Sequence, residues 1–299
     1  MVYILGYGRS GSTLLERLIG AYPDVFSCGE LAVLPQVIDS SIAYCACGML
    51  PKECLFWREV ISDWQSHVQD FSRTEYITLQ LRYERLGILL NPLQSFSIKS
   101  KACARYAEYT RTLLEAIANK SGASVLVDSS KHPARAFALQ QIPGMEVVVV
   151  HLVRDVRGVV YSLGTAYKKS PPDGVERDIK KRNILRSVCA WAITNYFCER
   201  VRARADRSSM LVRYEDYVTN PDVMLPKIIE FVEISNMNPI AFGDKPTKPS
   251  HQIAGNRSRM RSVNQIAIDE TWRTNLSVAI QKGLYLIAWP FMRRYRYKP

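Results

Sequence analysis

The sequence predicts an α/β fold, in which a parallel sheet is flanked by helices. Short apolar runs rich in β-branched residues alternate with segments of helical periodicity along much of the 299-residue chain. Runs that are apolar on both faces indicate strands covered on both sides, and their alternation with helices indicates parallel pairing. The predicted strand–helix pairs are 2–6 with 12–21, 124–128 with 133–141, 146–153 with 156–163, and 210–213 with 221–232. A short second strand is predicted at 25–27.

The other segments fit a single domain that spans residues 1–299. Residues 53–120 show no clear strand and predict a mostly helical insertion. A long helix is predicted over 176–207, after the turn-rich sequence Ser170-Pro-Pro-Asp-Gly. Residues 236–265 are polar and contain several prolines and glycines, so they predict a long loop that closes on a bound cofactor.

The chain is strongly basic, with 40 Lys and Arg against 28 Asp and Glu, or +12 at pH 7. This excess indicates an anionic partner. Because the basic residues do not form one long run, nucleic acid is not expected, and a small anionic ligand is favoured. The basic, aromatic tail at 284–299 is expected to pack on the edge of the domain. Peripheral contact with a membrane surface or a partner is the alternative for this tail.

Several features predict a cytoplasmic protein. The N-terminal sequence MVYILG has neither a basic leader nor a cleavage site. The longest apolar runs, such as 147–153, are far shorter than the roughly 20 residues that a membrane span needs. The seven cysteines are an odd number in a chain of ordinary size, which favours a reducing compartment.

The first predicted strand, loop and helix form a P-loop-like unit. Its spacing, Gly6-x4-Gly11 followed by Ser12 and Thr13, suits a loop whose backbone N–H groups hold phosphate oxygens. Ser12 occupies the place of the usual lysine, and a cation stands inside the loop at Arg9. This departure argues against Mg²⁺-dependent nucleotide chemistry. A glycine turn without a ligand is the alternative.

A second motif lies where the strand predicted at 146–153 ends. Arg154 follows the strand, and Asp155 is placed to cap the next helix. Ser162 lies two helical turns after Asp155, on the same helix face. Arg154 and Ser162 therefore suit a phosphate held from two directions. The alternative is a capping aspartate beside an exposed arginine.

A third motif, from His251 to Arg261, lies inside the long polar loop. Basic residues at alternate positions near a glycine suit an anion clamp, although a solvated basic loop is the alternative. The residues expected to contact the ligand are Gly255, Asn256, Arg257 and Arg259.

Together, these motifs resemble the sulfotransferases that use 3′-phosphoadenosine 5′-phosphosulfate (PAPS). The sequence Arg9-Ser10-Gly11-Ser12-Thr13 resembles the family's 5′-phosphosulfate loop. Arg154 with Ser162 resembles its 3′-phosphate element, and residues 255–259 resemble its late basic loop. The segment 211–216 resembles a Tyr-Glu-Asp strand end, which implies that Tyr214 approaches the adenine.

The resemblance is closer to bacterial and tyrosylprotein-like members. The tyrosylprotein sulfotransferases carry Cys-Gly-Glu-Glu at the comparable place, and their second glutamate is the base. This chain has Cys28-Gly-Glu30 followed by Leu31. Because Leu31 takes the place of the family's base, position rather than resemblance favours Glu30: it follows the short second strand, at the carboxyl edge of the sheet where the P-loop and Arg154 also lie. His132 is the second candidate for the base, and helix capping is the alternative role for Glu30. Arg9 and Lys131 are expected to stabilise charge on the transferring group.

The implied reaction is in-line transfer of a sulfuryl group from PAPS to a hydroxyl or amine acceptor, with release of PAP. No metal is expected. A zinc site at Cys45, Cys47 and Cys54 would lack the paired C-x2-C spacing and would need Cys28 as its fourth ligand. The alternatives are a P-loop kinase or other phosphotransferase, and a non-catalytic anion-binding module. The sequence does not determine the acceptor class.

Overall fold

The computed structural model describes residues 1–90, 100–166, 168, 170, 178, 180–233, 250–260 and 266–299. In these parts of the chain, five strands form one parallel sheet with the order β2-β3-β1-β4-β5. The strands are β1 Val2–Gly6, β2 Val25–Gly29, β3 Val125–Lys131, β4 Val148–Val153 and β5 Ser209–Arg213. The predicted parallel α/β fold is therefore confirmed.

The helices are α1 Ser12–Ile19, α2 Leu34–Val37, α3 Leu55–Ser66, α4 Arg73–Tyr83, α5 Lys101–Ser121, α6 Pro133–Gln140, α7 Val156–Leu163, α8 Ile184–Ala205, α9 Tyr214–Thr219, α10 Pro221–Phe231, α11 Thr271–Asn275, α12 Val278–Ile287 and α13 Trp289–Arg294. Short 3-10 helices span Leu31–Val33, Leu86–Leu89, Asp206–Ser208 and Arg257–Met260.

Alternate residues of β1 enter two different cores, as expected for a strand buried on both faces. Val2 and Ile4 pack with α1, α9 and α10, whereas Tyr3 and Leu5 pack with the helical insertion and α6. The sheet therefore has helices on both faces. Because all five strands run in the same direction, the segments that follow them lie at one edge of the sheet.

The insertion predicted over 53–120 consists of α3, α4, a 3-10 turn and α5 in its described part, and 91–99 lie outside it. Its helices share an aromatic core that includes Trp57, Trp64 and Tyr109. Arg135 of α6, which is 1% exposed, ties the insertion to the sheet. Its guanidinium donates to Glu84 at 2.5 Å and to Asp128 at 3.1 Å.

Two predicted boundaries differ from the structure by three residues or more. Strand β3 continues three residues past the predicted end. The polar residues there can be buried because they form hydrogen bonds with one another, and Asp128 accepts from the Ser130 backbone N–H at 2.8 Å. The long helix α8 begins at Ile184 rather than 176, while 171–177 and 179 lie outside the described residues. Of the predicted loop at 236–265, only 250–260 is described. The single-domain organisation stays a prediction.

The C-terminal tail packs against the sheet's helices through one face. Tyr285, Met292, Tyr295 and Tyr297 are buried beside α7 and α8. Its opposite side exposes apolar residues, among them Leu286 and Trp289. The expected packing of the tail is therefore present, and contact with a membrane surface stays a prediction. Among the described helices, none combines the length and apolar character needed to span a bilayer.

Candidate functional site

The loop after β1 brings the N-terminus of α1 to the carboxyl edge of the sheet. Gly11 immediately precedes the helix with φ 91°. A Cβ at this position would lie 2.5 Å from Tyr214 Cδ2 and 2.6 Å from the Tyr217 hydroxyl oxygen. Glycine is therefore required both by the left-handed backbone and by the close packing. The positive end of the helix dipole points toward this loop, as in phosphate-binding loops.

Ser10 carries a buried hydroxyl without a partner. The residue is 1% exposed, and its Oγ forms no hydrogen bond with any residue that the structure describes. An unsatisfied buried hydroxyl costs about 1–3 kcal/mol, so native proteins rarely keep one without a reason. A phosphate or sulfonate oxygen would satisfy this group.

Ser12 and Thr13, the first residues of α1, are each 6% exposed. Thr13 Oγ1 accepts a hydrogen bond from the backbone N–H of Asn256 at 3.2 Å. The first and third sequence motifs therefore meet at the start of this helix.

Arg9 and Lys131 share an uncommon backbone conformation. Their φ angles are 69° and 71°, in the left-handed region that disfavours side chains with a Cβ. Such conformations cost on the order of 1–3 kcal/mol and cluster at functional sites. Both cations predicted to stabilise the transferring group thus have a strained backbone at the same sheet edge, Arg9 in the loop after β1 and Lys131 at the last residue of β3.

Lys131 forms a close ion pair with Glu30. Its Nζ donates to Glu30 Oε1 at 2.6 Å and to the Ser129 carbonyl at 2.8 Å. Strands β2 and β3 are neighbours, and the two residues stand where these strands end. Glu30 precedes a 3-10 helix, but its side chain makes no capping hydrogen bond. The capping role considered as the alternative for Glu30 is therefore wrong.

His132, the other candidate base, precedes α6. Its carbonyl accepts from the Tyr3 hydroxyl at 3.1 Å, which fixes the backbone at this point. Desolvation lowers the pKa of His132. The negative charge of Glu84 opposes this shift, and the positive charge of Lys131 adds to it. A histidine with a lowered pKa is uncharged at neutral pH and able to accept a proton.

Arg154 is 6% exposed and lies against the P-loop, so the exposed arginine considered as an alternative is wrong. Its Nη1 donates to the Arg9 carbonyl at 3.1 Å. Its Nη2 donates to the Asp269 carbonyl at 2.9 Å and to Asp269 Oδ2 at 3.0 Å. The guanidinium also lies over the Tyr214 ring, with its carbon 4.4 Å from the ring centroid.

The predicted cap of the helix after β4 is present, since Asp155 accepts from the Arg157 backbone N–H at 2.8 Å. Ser162 lies on this helix, α7, and is partly buried. The described contacts do not join Ser162 to Arg154, so their common grip on one phosphate stays a prediction.

Tyr214 is 5% exposed, between Arg154 and the P-loop. Its hydroxyl accepts from the Asp269 backbone N–H at 3.2 Å. In the structure this ring supports Arg154 and Gly11, and its predicted contact with an adenine stays a prediction.

Residues 250–260 attach to the edge of β2. Ile253 accepts from the Glu30 backbone N–H at 2.7 Å and donates to the Cys28 carbonyl at 2.9 Å. Arg259 is 3% exposed and donates to the Gly255 and Tyr44 carbonyls at 3.3 and 3.1 Å. These bonds hold the segment in shape, and phosphate contact by Arg259 stays a prediction.

Gly255 lies close to Thr13 and Glu30, since a Cβ on it would be 3.4 Å from Thr13 Oγ1 and 3.6 Å from Glu30 Oε1. The backbone of Arg257 opens a 3-10 turn, while its side chain and all of Arg261 lie outside the described residues.

Sequence reasoning missed the buried carboxylate of Glu16. It is 1% exposed, accepts from the Gly29 backbone N–H at 2.5 Å, and accepts from the Ser129 hydroxyl at 2.6 Å. Burial raises the pKa of Glu16 to about 7. The two hydrogen bonds stabilise the carboxylate and so oppose this shift, but burial is the larger effect. Glu16 thus joins the ends of the strands that carry Glu30 and Lys131. A charged residue among the apolar positions of α1 was the available signal.

Sequence reasoning also missed Asp269, which no local pattern connects to Arg154. Although desolvation opposes it, hydrogen bonds from Thr271 and Arg154 lower the pKa of Asp269. Its carboxylate is the anion that the Arg154 guanidinium binds in this structure.

The model of a family described as the sulfotransferase family matches residues 2–239. Among solved structures, the sulfotransferase domain from the curacin biosynthetic pathway is 18% identical, covering 100% of this chain and 98% of that chain with a TM-score of 0.54. The sulfotransferase domain from the Synechococcus PCC 7002 olefin synthase is 18% identical, covering 97% and 94% with a TM-score of 0.43. A sulfotransferase from Mycobacterium avium is 12% identical, covering 99% and 77% with a TM-score of 0.48. No curated protein sequence matches the chain significantly.

Proposed function

Because the chain belongs to the sulfotransferase family, whose reaction is sulfuryl transfer, we propose that its donor is PAPS and its acceptor a hydroxyl or an amine. The acceptor oxygen or nitrogen attacks the sulfur in line, the bond from sulfur to the bridging phosphate oxygen breaks, and PAP leaves with that electron pair. The acceptor's proton passes to a base of the protein.

One observation carries this proposal: Arg154 Nη1 lies 3.1 Å from the carbonyl oxygen of Arg9, so a buried arginine adjoins the P-loop-like turn between β1 and α1. A donor with phosphates at both its 5′ and 3′ positions needs two anion sites side by side. ATP and GTP have no 3′-phosphate, so a kinase has no reason to carry the second site. The serine at position 12, in place of the P-loop lysine, supports the same choice.

The residues present fit the donor. The backbone at the start of α1 and the unpartnered Ser10 hydroxyl suit the 5′-phosphosulfate, with Arg9 and Lys131 beside the sulfonate. Arg154 suits the 3′-phosphate, which would replace the Asp269 carboxylate on its guanidinium. Catalysis by such a site comes from positioning and charge stabilisation, and from a base at Glu30 or His132.

Thermal unfolding with PAP, ATP or GTP tests the donor class, the latter two with Mg²⁺. Ligand binding to the folded state alone, at about 100 times Kd, adds about 2.7 kcal/mol of stability. We expect PAP to raise the Tm at concentrations where ATP and GTP do not. Equal shifts with ATP would favour the kinase alternative, and no shift with any nucleotide would favour a different anion. Transfer from labelled PAPS to a panel of acceptors then identifies the acceptor class.

A further inference from the structure

Three cysteines and a histidine converge beside the end of β2. Cys47 Sγ lies 3.7 Å from Cys54 Sγ, which lies 3.8 Å from Cys45 Sγ. His251 Nδ1 lies 3.3 Å from Cys54 Sγ and 3.6 Å from Cys45 Sγ. All four atoms lie within 4.8 Å of one another. We propose that these four residues bind a structural zinc ion.

Four of the six separations among the ligand atoms are close to those of tetrahedral zinc. Zinc bonds of about 2.3 Å to sulfur and about 2.0–2.1 Å to nitrogen place tetrahedral ligand atoms about 3.8 Å (S–S) and about 3.6 Å (S–N) apart. The observed separations of 3.7 and 3.8 Å between sulfurs, and of 3.3 and 3.6 Å between sulfur and nitrogen, lie within about 0.3 Å of these values. The two remaining pairs lie within 4.8 Å, so the group closes by up to about 1 Å when it binds the ion. Thiolate and imidazole ligands also select zinc over Mg²⁺ and Ca²⁺, which prefer oxygen.

A tight turn presents the first two cysteines. Cys45 donates its backbone N–H to the Met49 carbonyl at 2.9 Å, and its own carbonyl accepts from Gly48 at 2.9 Å. Gly48 has φ 89°, a conformation that favours glycine and lets the chain reverse after Cys47. Cys54 then precedes α3, so its position is fixed by the start of that helix.

The histidine is held in place from two sides. Its ring stacks on Phe56, with centroids 4.8 Å apart and an interplanar angle of 9°. Its carbonyl accepts from Trp57 Nε1 at 2.8 Å. Both aromatic residues belong to the first turn of α3, next to Cys54. These contacts fix His251 so that its Nδ1 faces the thiols of Cys45 and Cys54.

Four protein ligands close the coordination sphere, which is the arrangement of a structural rather than a catalytic zinc site. Binding releases the protons of the ligating thiols, since the thiolate is the zinc ligand. The ion would fasten two segments that are distant in sequence, one at Cys45–Cys54 and one at His251. Ile253 bonds to the backbone of Glu30, and Asn256 bonds to Thr13, so the second segment continues to the P-loop.

This proposal replaces the sequence expectation of no metal. The expected fourth ligand, Cys28, lies outside the group, and its thiol donates to the Phe26 carbonyl at 3.8 Å. His251 takes its place. It lies 206 residues after Cys45, which is why spacing alone gave no zinc motif.

The test measures zinc in the full chain, purified anaerobically without a histidine tag or chelator from cells grown with zinc. We expect stoichiometric zinc by elemental analysis. X-ray absorption should give zinc–sulfur distances of about 2.3 Å, with one nitrogen at about 2.0–2.1 Å. Removing the zinc with a strong chelator should lower the Tm and speed amide exchange at Ile253 and Asn256, and added Zn²⁺ should restore both.

Variants separate the ligands from other cysteines. Cys47 is exposed, so Cys47→Ser should fold. Because losing a residue that only supports a zinc ligand already lowers affinity by about 10- to 100-fold, losing this ligand should lower zinc affinity by at least about tenfold. The matched control is Cys189→Ser, which changes an exposed cysteine outside the group and should leave zinc content unchanged. His251→Cys should retain zinc through four thiolates, whereas His251→Ala should lose it.

The proposal is overturned if the folded wild-type protein holds no zinc and binds none when Zn²⁺ is added. It is also overturned if Cys47→Ser binds zinc as tightly as wild type, or if the anaerobic protein contains a Cys47–Cys54 disulfide. None of these measurements uses a sulfuryl donor. The zinc proposal can therefore fail while the donor proposal holds, and the donor proposal can fail while the zinc proposal holds.

Discussion

Lys131 Nζ and Glu30 Oε1 lie 2.6 Å apart, at the ends of neighbouring strands. This pair joins the predicted base to a cation predicted to stabilise the transferring group. When Glu30 accepts a proton it loses its negative charge, so its ion pair with Lys131 would weaken. The Lys131 ammonium group would then be free to stabilise charge on the sulfonate.

Glu30→Gln tests the base. The substitution keeps the shape of the side chain, so PAP affinity should change little. Turnover should fall by about 10²–10⁴-fold if Glu30 accepts the acceptor's proton. Steady-state kinetics with labelled PAPS and calorimetry with PAP measure the two quantities. His132→Asn is the comparison: a loss below about tenfold in Glu30→Gln, with a large loss in His132→Asn, would assign the base to His132.

Arg154→Ala tests the second anion site. Without the guanidinium, PAPS binding should weaken by about 10- to 100-fold, since a charge-assisted contact contributes about 1.5–3 kcal/mol. Adenosine 5′-phosphosulfate lacks only the 3′-phosphate, so its binding should change much less. Competition binding with both ligands measures the difference, and Arg200→Ala on the exposed surface of α8 is the control. Equal weakening for both ligands would make Arg154 a structural residue.

Ser10→Ala should weaken PAP binding without destabilising the free protein. Because the Ser10 hydroxyl is buried without a partner, its removal should leave the Tm of the free protein equal to that of wild type, or raise it. PAP should then bind more weakly and shift the Tm less. Ser129→Ala is the matched control, because its buried hydroxyl already bonds to Glu16 and its loss should destabilise the free protein. If Ser10→Ala lowered the Tm of the free protein as much as Ser129→Ala does, the Ser10 hydroxyl would have a structural role and would not be a ligand contact.

Glu16 should make stability depend on pH. Its pKa is raised from 4.5 to about 7 in the folded state, so the folded protein binds the proton more tightly than the unfolded chain. Stability should therefore fall as pH rises from about 4.5 to about 7, by about 3 kcal/mol from this group. Urea unfolding across this range should show a flatter profile in Glu16→Gln. The exposed Glu115→Gln is the control, and matching slopes in wild type and Glu16→Gln would remove Glu16 as the cause.

Local patterns determined the fold and the edge at which the site forms. Apolar runs alternating with helical periods predicted a parallel sheet, and parallel strands bring their carboxyl ends together. Arg9, Glu30, Lys131 and Arg154 each follow a predicted strand, so this rule puts them at one edge, and the structure has these segments there. The capping Asp155 was likewise predictable, since a cap and its helix are adjacent in sequence.

Only the tertiary structure decided which side chains meet across the chain. Arg154 bonds to Asp269, 115 residues away, and Cys45 faces His251, 206 residues away. Glu16 similarly reaches Ser129 beneath the strand ends. Such pairs depend on how distant segments pack, and periodicity or spacing carries no record of that packing. The sequence by itself therefore determined the sheet edge, while long-range packing determined the partner of each charged or thiol group on it.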